Sequence, residues 1–148
     1  MSMDERSVWA QLVVLPLVGL GYFAVVLTRA ARMPDDEVSW VVPMLCAMAI
    51  IVVGVVALTI ASAIGHGVRA TAGGEEPLFE DGDIRDKEIE RYGEYRSRHF
   101  TAFGGLAVIV LAMLRVDHLW IASALFGSGI LSGTYAATMK LVGYRRGF

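Results

Sequence analysis

The chain has 148 residues, 55% of them hydrophobic and 19% charged, with a mean hydropathy of +0.56 and a formal net charge of −2. No global basic field points to nucleic acid. The single cysteine, Cys46, excludes an intramolecular disulfide, a Cys-x-x-Cys redox pair and a cysteine zinc cluster.

The apolar residues come in four blocks rather than interspersed with polar ones. The first runs from about Val8 to Leu27 and is longer than the h-region of a secretory signal, which is about 7–15 residues. Its leader, MSMDERS, carries two acids and one Arg instead of a basic cluster, so the block reads as a retained membrane helix. The second block, about Trp40 to Ile64, holds Cys46 as a small apolar residue. The third covers about Phe100 to Leu114 and the fourth about Leu119 to Val142. A helix needs about 20 apolar residues to cross the hydrocarbon core. Blocks one, two and four meet that length, and a helix continuing from the charged segment ahead lends extra turns to the third.

These lengths predict an all-α fold: a single integral membrane four-helix bundle made of two helical hairpins. The spans are expected at about 8–28, 40–65, 100–116 and 119–142, with a loop and helix over about 66–99. Placing both termini in the cytoplasm puts Arg6, Arg69, Arg85, Lys87, Arg91, Arg96, Arg98, Lys140, Arg145 and Arg146 inside. Only Arg29, Arg32 and Arg115 are then outside. Ten basic residues against three satisfies the positive-inside rule, and the location expected is the cell (inner) membrane. Trp9, Trp40 and Trp120 each stand near the start of a block, at the depth where amphipathic rings prefer to lie.

The connection between blocks two and three carries fourteen charges from Glu75 to Arg98, half of the 28 in the chain. Its first part, GHGVRATAGGEEP, is Gly-rich and reads as a flexible turn. Its second part, DGDIRDKEIERYGEYRSR, reads as a helix with Asp83 as N-cap and Asp86 three residues on. Asp81–Arg85, Asp83–Lys87 and Glu94–Arg98 are i,i+4 pairs in the favourable order. Ile89, Tyr92, Arg96, His99 and Phe103 share one face by the helical period. The third helix is therefore expected to extend into the cytoplasm, with Gly93 marking a close approach or a bend.

Chemistry-bearing constellations are not found. No ionisable group lies near the middle of any block, which counts against proton-coupled transport, and the first block offers only Gln11 and Tyr22 as polar groups. His66, His99 and His118 lie at block ends and read as interfacial histidines rather than haem or metal ligands. The string EDGDIRDKE lacks the Asp-x-Asp-x-Asp-Gly spacing of an EF-hand, and its interleaved Arg and Lys neutralise it. There is no nucleophile elbow, phosphate-binding loop or His-Glu-x-x-His. No catalytic residue, cofactor or metal is expected.

The fourth block instead signals packing. Gly129 and Gly133 form a Gly-x-x-x-Gly, and Ser128–Ser132 and Ser123–Gly127 repeat the same small-residue spacing. Small residues so spaced let helix backbones approach closely, either within one protomer or in a homodimer through the fourth span.

The order of two spans, a charged helix and two further spans resembles an uncharacterised prokaryotic membrane-protein family, domain of unknown function 2178. The resemblance rests on DIRDKEIE, with Asp83, Arg85, Asp86 and Ile89 matching and Ile84 standing where an acid is expected. It implies a four-span layout and a role for the charged helix, and supplies no catalytic residues.

Two functional readings follow. The first is a non-enzymatic, self-associating scaffold or accessory subunit that docks a protein partner through Arg85, Asp86, Glu90, Tyr92 and Tyr95. The second is a small oligomeric transporter or channel component, with Thr59, Ser62, Ser128, Ser132, Thr134 and Thr138 lining a path between protomers.

Overall fold

The computed structural model describes residues 3–34, 37–72 and 84–146, and side chains over 6–34, 37–61, 64 and 87–145. Four helices are present and, among the described residues, no strand: α1 (Met3–Ala30), α2 (Val41–Ala72), α3 (Ile84–Met113) and α4 (His118–Arg146). Three contain stretches long and apolar enough, by length and composition, to cross a membrane: Arg6–Ala30, Val41–Ala61 and His118–Arg145, which suggests a membrane protein. The third expected span is not among them, because the apolar part of α3 follows directly on Arg96, Arg98 and His99.

One boundary differs from expectation. Gly65, His66 and Gly67 are helical, as α2 runs on to Ala72 through what reads as the start of a flexible turn. In a helix this long, two glycines cost about 1 kcal/mol each relative to Ala, and they do not break it. Asp81 and Asp83 lie outside the described residues, so the proposed N-cap and its two ion pairs have no counterpart to describe.

The helices pack through three seams, α1 with α2, α1 with α4 and α3 with α4. The order across the molecule is therefore α2, α1, α4, α3, with only slight contact between the two outer helices. In the most apolar stretch of α2 just 6% of residues are buried, against 28% in those of α1 and α4. The α1–α2 and α3–α4 connections lie at one end, here the hairpin end. At the other end Arg145 stands over the Trp9 ring, 5.8 Å from its centroid, bringing the two terminal segments together.

The main apolar core is at the hairpin end, where Tyr22, Val26, Val38, Ala47 and Leu119 are buried and Trp40, Met44, Trp120 and Phe126 pack around them. Arg29 Nη1 donates to Ser39 O at 2.9 Å and holds the α1–α2 connection over this core. The α3–α4 turn has the bonding of a Schellman motif. Val116 N donates to Leu111 O and Arg115 N to Ala112 O, both at 3.1 Å, with Arg115 at a φ of 53°. Asp117 then caps α4, its Oδ1 accepting from Leu119 N at 2.8 Å. Four residues of loop, Leu114 to Asp117, suffice because Arg115, Val116 and Asp117 each supply a specific bond or dihedral.

Candidate functional site

Small residues form both seams of α4. A Cβ on Gly127 would stand 2.9 Å from Phe23 Cζ, and one on Gly133 would stand 2.9 Å from Leu15 Cδ1, both on α1. Ser123 Oγ lies 2.9 Å from Tyr22 Oη in a buried bond to the same helix. On the other side, a Cβ on Gly104 of α3 would overlap Ser128. Ser132 Oγ donates to Ser97 O at 3.2 Å, and Thr101 Oγ1 lies 3.0 Å from it. Since Ser132 has one proton, the Thr101 hydroxyl is the donor in the second bond. Of the six expected packing residues, Ser123, Gly127 and Gly133 therefore meet α1, and Ser128 and Ser132 meet α3. Gly129 is exposed, with no atom within 4 Å of the place its Cβ would occupy.

The stripe of α3 that packs on α4 is Ile89, Gly93, Ser97 and Gly104, all buried. It is not the face expected from periodicity: Arg96, His99 and Phe103 are exposed and Tyr92 half-buried. Small residues let the two backbones approach closely, so they and not the hydrophobic period mark the seam. A Cβ on Gly93 would stand 2.9 Å from the Ala136 carbonyl oxygen, which accounts for the glycine by close approach. Ile89 fits the notch at Gly143, whose Cβ would be 3.1 Å from Ile89 Cγ2.

The charged half of α3 divides accordingly. Glu90 reaches Lys140 of α4 at 3.5 Å, with the lysine side chain 13% exposed and the glutamate 62% exposed. Arg96 stacks over Tyr92, 5.2 Å from the ring centroid. Tyr95 is 69% exposed. Arg85 and Asp86 lie in the first turn of α3, and their side chains are outside the described residues. Glu94 and Arg98, expected as an ion pair, are both exposed and do not come within 4 Å. An exposed pair gains so little that solvation competes with it.

Within the chain, the described hydroxyls named for a path between protomers make local bonds. Thr59, Ser128 and Thr138 each donate back to their own helix, to Val55 O, Leu125 O and Thr134 O, all at 2.8 Å. Thr59 is on α2, remote from the α3–α4 seam that takes up Ser128 and Ser132. The Ser62 side chain is outside the described residues. Thr134 Oγ1 is buried without a hydrogen-bond partner. His99 and His118 are exposed, and the His66 side chain is not described. Among the described residues, no three His, Cys, Asp or Glu side chains gather where they could hold a metal ion.

An apolar groove of about 610 Å³ lies along α3 and α4, lined by Phe23, Phe103, Ala107, Trp120 and Leu131 among others. Another of about 640 Å³ lies between α1 and α2 and includes the exposed Cys46. Both open among exposed apolar side chains.

No family model matches the chain, and neither a curated protein nor a solved structure is significantly similar to it.

Proposed function

We propose that the chain is a non-enzymatic, four-span protein of the cell (inner) membrane with both termini cytoplasmic. It acts as a self-associating scaffold or accessory subunit, and docks a partner protein at the start of α3. The observation that carries this reading is the division of α3. One stripe is committed to α4, while Lys87, Glu88, Arg91 and Tyr95 are exposed on the rest of its amino-terminal half.

The antiparallel register supports a projecting start to that helix. Ile89 pairs with Gly143, so Arg85 and Asp86 fall at or beyond the last residues of α4. Val14 packs on Gly54, so the last turns of α2 likewise run beyond Met3. The basic residues concentrated at that end support a cytoplasmic location for it. The four-span layout is also what the resemblance carried by Asp83, Arg85, Asp86 and Ile89 implies. For self-association, α4 leaves Leu125 and Gly129 exposed on one side and Leu131 on another, while Ser123, Gly127 and Gly133 face α1 and Ser128 and Ser132 face α3.

The test is crosslinking with mass spectrometry in native membranes, using exposed Lys87 as the handle. Links from Lys87 to one other protein are expected, and charge reversal at Arg85, Asp86 and Glu90 together should abolish them without releasing the chain from the membrane. Links that survive the reversal would remove the docking role. Links only between copies would leave a scaffold acting alone. The topology has its own readout: a cysteine at position 87 should label from the cytoplasmic side, and one at 115 from the opposite side.

A further inference from the structure

The α3–α4 register also fixes depth. Gly104 stands against Ser128 and Ile89 against Gly143, so Arg98 lies level with Thr134 and Arg91 level with Leu141. Gly133 in turn stands against Leu15 of α1, which brings Arg98 level with about Val14. From Arg6 to Val14 is eight residues, or about 12 Å at 1.5 Å rise per residue. The uncharged part of α1, Ser7 to Thr28, is 22 residues, about 33 Å long and sufficient for a hydrocarbon core of about 30 Å. That of α3, Phe100 to Leu114, is 15 residues and about 22 Å. The two helices end level at the hairpin end, so the whole shortfall falls at the other end, at Arg98.

Arg91 and Arg98 are seven residues apart on one side of α3, with Tyr95 between them, away from the Ile89–Gly93–Ser97 stripe. Both are exposed, and among the described residues neither has a carboxylate within 4 Å. Glu90, the nearby acid with a partner, is engaged by Lys140. Unpaired cations at this depth are costly unless the bilayer supplies the counter-charge by thinning locally. The planar guanidinium matches a phosphate in two parallel bonds, which a carboxylate-free pair of arginines leaves available.

We propose that Arg91, Tyr95 and Arg98 form a binding face for the phosphate of an anionic bilayer lipid, in a leaflet drawn thin along α3. The proposal rests on the membrane reading above and goes beyond it, because it assigns a lipid to Arg98, which the docking reading does not use, and to Arg91 and Tyr95, which that reading counts only as exposed.

The experiment uses the full chain in nanodiscs of equimolar phosphatidylglycerol and phosphatidylcholine, released for native mass spectrometry. Retained phosphatidylglycerol is expected in preference to phosphatidylcholine, undiminished by added inorganic phosphate. The double variant Arg91→Gln/Arg98→Gln should lower that retention roughly tenfold, whereas Arg32→Gln at the hairpin end should leave it unchanged. Equal retention of the two lipids, displacement by inorganic phosphate, or full retention by the double variant would each overturn the proposal. A chain that alkaline carbonate strips from membranes would defeat the membrane reading itself. Circular dichroism of the double variant establishes that a loss of lipid is not a loss of fold.

Discussion

Gly104 of α3 and Ser128 of α4 approach so closely that the glycine has no room for a methyl group against the serine side chain. The obstructing atoms include Ser128 Cβ, which is fixed to the backbone and cannot swing away. Gly104→Ala should therefore push the helices apart and destabilise the fold by about 1–3 kcal/mol, the usual range for overpacking. Adding Ser128→Gly removes the obstruction and should recover most of that loss. Thermal unfolding in detergent of the two single variants and the double variant measures the coupling. Additive effects would mean that the two residues do not meet.

A second pair of relationships is polar. Tyr22 Oη and Ser123 Oγ bond across the α1–α4 seam, both residues being buried. Ser132 links Thr101 to the Ser97 carbonyl across the α3–α4 seam. Interhelical bonds of this kind in membrane proteins average about 0.6 kcal/mol and reach about 1.7. Ser132→Ala should fall toward the upper end, since it removes one donor and one acceptor at once. Tyr22→Phe should cost about 1 kcal/mol by orphaning Ser123, and the further change Ser123→Ala should cost less than it does alone. Denaturant titrations of each series read out these differences.

The sequence carried the four helices clearly, because apolar blocks of that length have few alternatives. It was less informative about which faces meet. A 3.6-residue period picks out Ile89, Tyr92, Arg96, His99 and Phe103 as one face, but only Ile89 of these is buried. The partner face is instead marked by Gly93, Ser97 and Gly104, whose smallness a hydrophobicity pattern treats as neutral. Similarly, the Gly-x-x-x-Gly of α4 reads as one surface, although Gly133 meets Leu15 and Gly129 meets nothing. Spacing along one helix does not say how many neighbours share its surface. The ion pair Glu90–Lys140 was equally hidden, since its residues are 50 positions apart and depend on the register of two helices.

Arg115 adopts a φ of 53° at the position after the α3 C-cap, where glycine is usual. The left-handed conformation costs a residue with a Cβ roughly 1–2 kcal/mol. Part of that gain is offset in a glycine variant by the greater freedom of its unfolded chain. Arg115→Gly should therefore raise stability by about 1 kcal/mol. Arg115→Val should lower it, as β-branching makes this conformation still less favourable. Both are read from the midpoint of thermal unfolding, and a glycine variant no more stable than the parent would contradict the turn geometry.

Ile89 is 1% exposed and anchors the charged start of α3 into the notch at Gly143. The ion pair from Glu90 to Lys140 reaches across to α4 in the same region, and its glutamate is largely exposed. An exposed pair contributes at most about 1 kcal/mol, whereas truncating a fully buried isoleucine costs about 2–5 kcal/mol. Ile89→Ala should thus release the first turns of α3 by local opening, because helix ends open without global unfolding. Amide exchange should accelerate over residues 87–97 while the core around Tyr22, Val26 and Leu119 stays protected. Lys140→Met, which keeps the packed stem and removes the charge, should leave exchange in that segment nearly unchanged. The opposite order of effects would make the ion pair, and not the isoleucine, the anchor of the charged helix.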